Sequence, residues 1–498
     1  MKRVLPLLVV LLALALPAGA HVGSPDVFLE SNAGPYRLFV TVRVPQVIPG
    51  VAQVEIRSES NEVREIRIAP MQLTGPGSQF APTADVAQQS KADPQFFTGS
   101  IWLMEFGSLQ VRIDADGTRG KGELAVPVPA MAQSTLPMQR PLGIALFALL
   151  SLLAFALVSI AAAAVREGNL EPGAAPGPTN LRRARVAAAI AGLAVIALLC
   201  IGRSWWNSNA RSYASNVYSP PEIQASLDSA GQLVLQQEAV KIAEGNPRRP
   251  TEVVDFDHLV PDHDHLMHLF LVRTPGMDSM WHLHPERLED GGFATALPAV
   301  SPGHYQIFAD VVLNTGFPVT LLGQIDLPEV SGKGLTGDDS GTLANPLAPD
   351  APDTTASPLA GGGQMVWERE AAPLRANVAL IFRFRVEDSD GNPAGDLGPY
   401  MGMAAHAEII RSDGSVFAHV HPAGSISMAA FELAQASLPG TLPASAQTMM
   451  AGMAMPKEKV SPEISFPYGF PKPGLYRIFV QIKRSGQIQT GVFDTTVQ

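Results

Sequence analysis

In several stretches of this chain apolar and polar residues alternate one for one, and two long apolar runs stand apart from them. Period-two alternation marks a strand with one buried face. It appears at residues 36–42, 52–57 and 108–113, with turns supplied by Asp114-Ala115-Asp116-Gly117 and several Pro-Gly steps. About seven such strands in residues 21–138 predict an immunoglobulin-like sandwich. Residues 142–165 and 186–206 are the apolar runs, long enough to span a bilayer, the second closing on Trp205-Trp206 at an interfacial position. Between them, residues 166–185 carry Arg166, Arg182, Arg183 and Arg185, which predicts a cytoplasmic loop. Lys2-Arg3, an apolar stretch and Ala18-Gly19-Ala20 predict a signal peptide over residues 1–20. Both flanking soluble parts are then expected on the extracytoplasmic side of the cytoplasmic (inner) membrane, with lipid contacting the two helices. The fold class is mainly β: sandwich domains joined by two transmembrane α-helices.

Beyond the spans, residues 207–250 read as a tether with a strand at 232–235, 251–329 as a β unit A, 330–363 as a Gly/Asp/Pro-rich linker, and 364–498 as a β unit B. Unit B holds the most informative stretch. Ser412-Asp413-Gly414-Ser415 separates two apolar-rich runs and predicts a two-residue hairpin turn. Centred there, Glu408 faces His419 and His406 faces His421, and all four lie on one side of the ribbon. Unit A echoes the pattern. A turn near Gly276 sets Phe270 opposite His282 and His268 opposite His284. Each hairpin is followed by a Pro-Gly-x-Tyr-x-Ile-Phe strand, Pro302 to Phe308 and Pro473 to Phe479, so the units form a diverged internal repeat.

Composition sharpens the picture. Ten of eleven histidines fall between His258 and His421, and the single cysteine, Cys200, excludes both a disulfide framework and a thiolate-rich metal site. A net charge of −11 argues against a nucleic-acid partner. Clustered imidazoles suit copper or zinc. The expected ligands are His406, His419 and His421 in unit B, with Glu408 orienting or ligating, and His268, His282 and His284 in unit A. The Asp/His loop from Asp257 to His265 offers His263 and His265 to a second ion. His21, exposed as an N-terminus by cleavage, offers another nitrogen set. Met401 and Met403, with Met449, Met450, Met453 and Met455, offer thioethers to Cu(I) and favour copper over zinc. His304 has Leu475 at the equivalent position of unit B and reads as local structure. No nucleophile elbow, phosphate-cradling loop or His-Glu-x-x-His is present.

Residues 21–130 resemble the bacterial extracytoplasmic YtkA-like and FixH-like sandwich modules. The strands Tyr36 to Val42, Val54 to Arg57 and Gly107 to Arg112 carry the likeness, and the Pro-Gly-x-Tyr-x-Ile-Phe strands extend it to units A and B. The resemblance implies a small envelope β-sandwich associated with metal handling or oxidase assembly. Taken together, these features predict a membrane-anchored periplasmic protein that captures, stores or transfers copper, with a metal-donor or acceptor protein as partner. A His-ligated oxidase or metal hydrolase and a metal-free assembly scaffold are the alternatives.

Overall fold

The computed structural model describes residues 26–237, 254–350, 352–370, 372–438 and 460–498. His21 and the methionines at 449–455 lie outside the described residues. The chain divides into two units, residues 132–217 and everything else described. The first consists of helices α1 (Arg140–Glu167) and α2 (Pro178–Ala214), both long and apolar enough to cross a membrane. Pro at the first turn starts each helix, where its missing N–H costs nothing. The second helix begins eight residues before the apolar run, so Arg182, Arg183 and Arg185 of the expected loop are helical.

The second unit is entirely β but for one short α-helix and two 3₁₀ turns. Its N-terminal sandwich stacks a five-stranded sheet (Val27–Ala33, Tyr36–Arg43, Gly50–Ser58, Phe96–Leu103, Gln88–Gln89) on a four-stranded one (Asp85–Val86, Val63–Gln72, Gly107–Gly117, Gly120–Ala130). Alternate residues of these strands, such as Leu38, Val40, Val42, Val54 and Ile56, close the core.

Units A and B repeat one architecture. In unit A, β1 (His268–Thr274) pairs with β2 (Ser279–Leu283) on one side and β3 (Gly303–Leu313) on the other. In unit B, β4 (His406–Arg411) lies between β5 (Phe417–Val420) and β6 (Gly474–Arg484) in the same order. The repeated Tyr makes the same bond in each copy: Tyr305 Oη donates to Ser301 O at 2.8 Å and Tyr476 Oη to Lys472 O at 2.7 Å. A second sheet backs each of these. In unit A that sheet contains Gln224–Leu227 and Gln232–Gln236, so the stretch read as a tether supplies two core strands, with Leu233 and Leu235 fully buried. The expected linker also contributes, since Ser340–Leu343 pairs with β2 and Ala356–Pro358 edges unit B. Short strands among Gly, Pro and Asp present too few alternating positions to be read from pattern.

The inner sheets of A and B face each other. Phe270, Val272, Met277, Met280 and Phe308 of A pack on Ile410, Phe417 and Phe479 of B, with Phe308 and Phe417 stacked at 4.3 Å and 8°. Arg477 ties the pair further, donating to Met277 O and Asn345 O at 2.8 Å each.

Candidate metal centre

The hairpin registers are those the turns dictate. Glu408 pairs with His419 and Phe270 with His282. Because the two inner faces meet, the histidines of both ribbons enter one enclosed space. His263, His265, His268, His282, His284, His406, His419 and His421 form a continuous cluster, each ring within 3.8–5.4 Å of a neighbour by centroid. Two groups of three place one ligand atom each within 4.8 Å of the others: His268, His282 and His284, and His263, His406 and His421.

The first group is the one expected for unit A. Each ring is oriented by an oxygen. His268 Nε2 lies 3.0 Å from Asp262 O, a carbonyl that can only accept, so this nitrogen carries the proton and Nδ1 is bare. The Gln481 amide donates to Ser340 Oγ, which turns its Oε1 toward His282 Nδ1 at 2.9 Å. That nitrogen donates, and Nε2 is bare. His284 Nδ1 lies 3.0 Å from Asp339 Oδ1, and its buried Nε2 has no partner among the described residues. The bare His268 Nδ1 and His282 Nε2 stand 3.0 Å apart. Two lone pairs facing at that distance repel unless a cation lies between them. Bonds of about 2.0–2.1 Å at a tetrahedral angle would set two nitrogens about 3.3–3.4 Å apart, close to what is found.

The second group differs from expectation. His263 replaces His419 beside His406 and His421. The turn Asp262–His265, with positive φ at His263 and Asp264, brings His263 over from the loop. It bonds the backbone of Met401, and its Nε2 lies 3.3 Å from His421 Nε2. His421 Nδ1 donates to Ile426 O at 2.9 Å, leaving Nε2 bare. Both nitrogens of His406 are buried with no partner among the described residues. His419 sits between the groups, 5.3 Å from His268 and 5.4 Å from His406 by centroid, and turns Nδ1 to Asp310 Oδ2 at 3.6 Å.

The Asp/His loop therefore forms no separate ion site among the described residues. His265 stacks on His284 at 3.8 Å, while His258 pairs with Asp255 and Asp257 with Arg287. His304 pairs with Asp326, away from the cluster. Met401 and Met403 lie in the turn before β4, and it is the Met401 backbone that contacts His263.

Burial governs the charge of the site. It holds His268, His282, His406 and His419 well below the usual imidazole range, and His421 at about 3, with neighbouring rings adding to the effect. Neutral imidazole is the form that binds metal. Burial also raises Glu408 well above the carboxylate range. Both its oxygens are buried without a hydrogen-bond partner among the described residues, and Oε1 is 4.0 Å from His282 Nδ1. Asp310 is pushed up to about 7 by the same cause, and burial raises Asp262 despite the Ala429 N–H donating to it at 2.7 Å.

The N-terminal sandwich buttresses this centre, a role nothing in its sequence signals. Its first strand grips the loop after His421: Glu30 N donates to Ala423 O at 2.7 Å, Ser425 N to Phe28 O at 3.0 Å, and Phe28 N to Ser425 Oγ at 3.1 Å. At Gly424 a Cβ would sit 1.9 Å from Phe28 O, so only glycine fits. The helix that follows, α3 (Met428–Ala436), packs Ala434 against Leu73 and Ala125 of the sandwich.

Residues 361–498, which include unit B, match the family described as "Domain of unknown function (DUF8832)". No curated protein matches the chain. Solved structures with a similar course include latent PorU from Porphyromonas gingivalis (11% identity, 92% of this chain, TM-score 0.14), of which the chain spans only 32%. They also include the ICAM-5 D1–D4 ectodomain (7% identity, 93% of this chain and 77% of that one, TM-score 0.16) and a protein described as membrane anchored from Corynebacterium diphtheriae (10% identity, 95% of each chain, TM-score 0.14). These scores are too low for any argument from likeness.

Proposed function

We propose that the chain is a membrane-anchored metal-binding protein that holds two ions in one histidine centre shared by units A and B, and that copper is the ion. The observation that carries this reading is the pair of bare nitrogens, His268 Nδ1 and His282 Nε2, held 3.0 Å apart in a site that keeps both rings neutral. An all-imidazole donor set suits copper or zinc, and copper(II) stands above zinc in affinity for nitrogen ligands. The described residues before 132 and after 217 belong to one compact unit, which supports reading both soluble parts as lying on one side of a membrane. With the Arg-rich stretch between the helices inside, that side is the periplasmic one. The work there is capture, storage or transfer of copper, in keeping with the resemblance to YtkA-like envelope modules. A second reading is a metalloenzyme, favoured by sets of three nitrogens, which leave a coordination position open.

The test uses the full chain in detergent, stripped with chelator, loaded with copper or zinc, desalted and analysed for metal. Two ions per chain are expected. His282→Ala and His421→Ala should each retain one, with unchanged circular dichroism. Retention of neither metal by the wild type, or unaltered loading in the double variant, would overturn the reading and favour a scaffold.

A further inference from the structure

A cavity of about 140 Å³ lies against the histidine centre. Its walls include His268, His419 and His421 on one side and Asp262, Asp310 and Tyr218 on others. No Lys or Arg lines it, and most of the remaining surface is apolar. Asp310 is enclosed by protein on every side, yet 23% of its side chain stays accessible, because that part faces the cavity. Its Oδ1 accepts from Thr320 Oγ1 at 2.5 Å, while Oδ2 lies 3.6 Å from His419 Nδ1. The other ring nitrogen of His419, Nε2, is buried with no partner among the described residues, and only 5% of this side chain is exposed. His419 thus lines the acidic cavity beside His268 and His421 and lies within reach of both three-histidine groups, at 5.3 Å from His268, 5.4 Å from His406 and 4.7 Å from His421 by ring centroid.

Neutral imidazoles attract a distant cation weakly. A carboxyl group in a low-dielectric cavity attracts it strongly once ionised, and the arriving cation itself favours the ionised form by displacing the proton to solvent. Asp262 is already engaged by the amide of Ala429 at the start of α3. Asp310 is the carboxylate with an oxygen turned to the ring that leads inward. We propose that this cavity is a vestibule for the metal cation, in which Asp310 receives the incoming ion and His419 passes it to the two histidine groups. The vestibule rests on the reading of the cluster as a metal centre. It assigns His419 to transit, and the resident ligands to the six other rings.

The experiment follows the uptake of Cu(I), delivered from a competing chromophoric chelator, by the full chain in detergent, using stopped flow. Asp310→Asn should slow uptake about tenfold and flatten the dependence of the rate on salt, while the final copper content stays at the wild-type value. Asp310→Glu should restore the rate. Asp326→Asn, which removes an exposed carboxylate, should load like the wild type. An Asp310→Asn protein that loads at the wild-type rate overturns the vestibule. So does one that folds normally but ends with less copper, since Asp310 would then belong to the centre itself. A wild type that takes up no copper overturns the metal centre and the vestibule together, and that outcome is distinct from a change in rate alone.

Discussion

Replacing Glu408 by Leu should make the metal-free protein more stable. The side chain is fully buried, both oxygens lack a hydrogen-bond partner among the described residues, and His282 Nδ1 lies 4.0 Å from Oε1. A buried polar group left unsatisfied costs about 1–3 kcal/mol. Leucine has similar length, fills the same space between His419 and Phe479, its neighbours across the two flanking strands, and removes that cost. The expected gain is therefore about 1–3 kcal/mol, and at about 2–4 °C per kcal/mol it raises the midpoint by about 2–12 °C. The sign of the pH dependence adds a check. Glu408 is raised in the folded state, so its contribution is fully present below the unfolded carboxylate value and is lost as pH rises through the folded one. The advantage of leucine should accordingly grow from pH 4 toward pH 8. The assay is thermal unfolding of the full chain in chelator, followed by the same scan with copper. In copper the order should reverse, because the carboxylate neutralises charge beside His282. A metal-free Glu408→Leu protein less stable than the wild type by 1 kcal/mol or more would refute the reasoning, since Glu408 would then be satisfied in the fold.

Two further outcomes follow from the same geometry. Five buried histidines (268, 282, 406, 419 and 421) have depressed values in the fold, so their stabilisation is present above the unfolded value near 6.5 and lost below it. Each costs about 1 kcal/mol between pH 6.5 and 5.5, and the raised carboxyls Glu408, Asp310 and Asp262 offset part of this. Chemical denaturation of the metal-free protein at the two pH values should show a net loss of stability at the lower one, since the depressed imidazoles outnumber the raised carboxyls. Phe417→Ala should cost about 3–5 kcal/mol by denaturant titration. It should also weaken copper binding, because Phe417 stacks on Phe308, lies 5.1 Å from Phe270, and stands two residues before His419.

The hairpins were legible in the sequence because Asp413-Gly414 fixes a turn and a period of two then fixes every partner along the ribbon. Glu408 opposite His419 and Phe270 opposite His282 follow from counting alone. The grouping of the rings was not legible. His263 reaches His406 and His421 only because the inner faces of A and B meet, and no local pattern encodes which of two equally apolar faces will do so. The outward-facing alternative for Phe270 or Phe417 would read the same. The strands at 224–227 and 340–343 were hidden for another reason: each is only four residues long, too short for a pattern, and the predicted strand at 232–235 completes its sheet with a partner far along the chain, Phe293–Ala296.

The grip of the first strand on the loop after His421 has a temporal consequence. The bond from Phe28 to Ser425 spans 397 positions. At synthesis rates of about 5–20 residues per second, Phe28 emerges about 20–80 s before its acceptor exists. During that interval both apolar helices leave the ribosome, and the outer edge of strand Val27–Ala33 waits without its closing partner. Such an edge invites pairing with other chains until its closing partner arrives. The histidine cluster can close only after the last strand has been delivered.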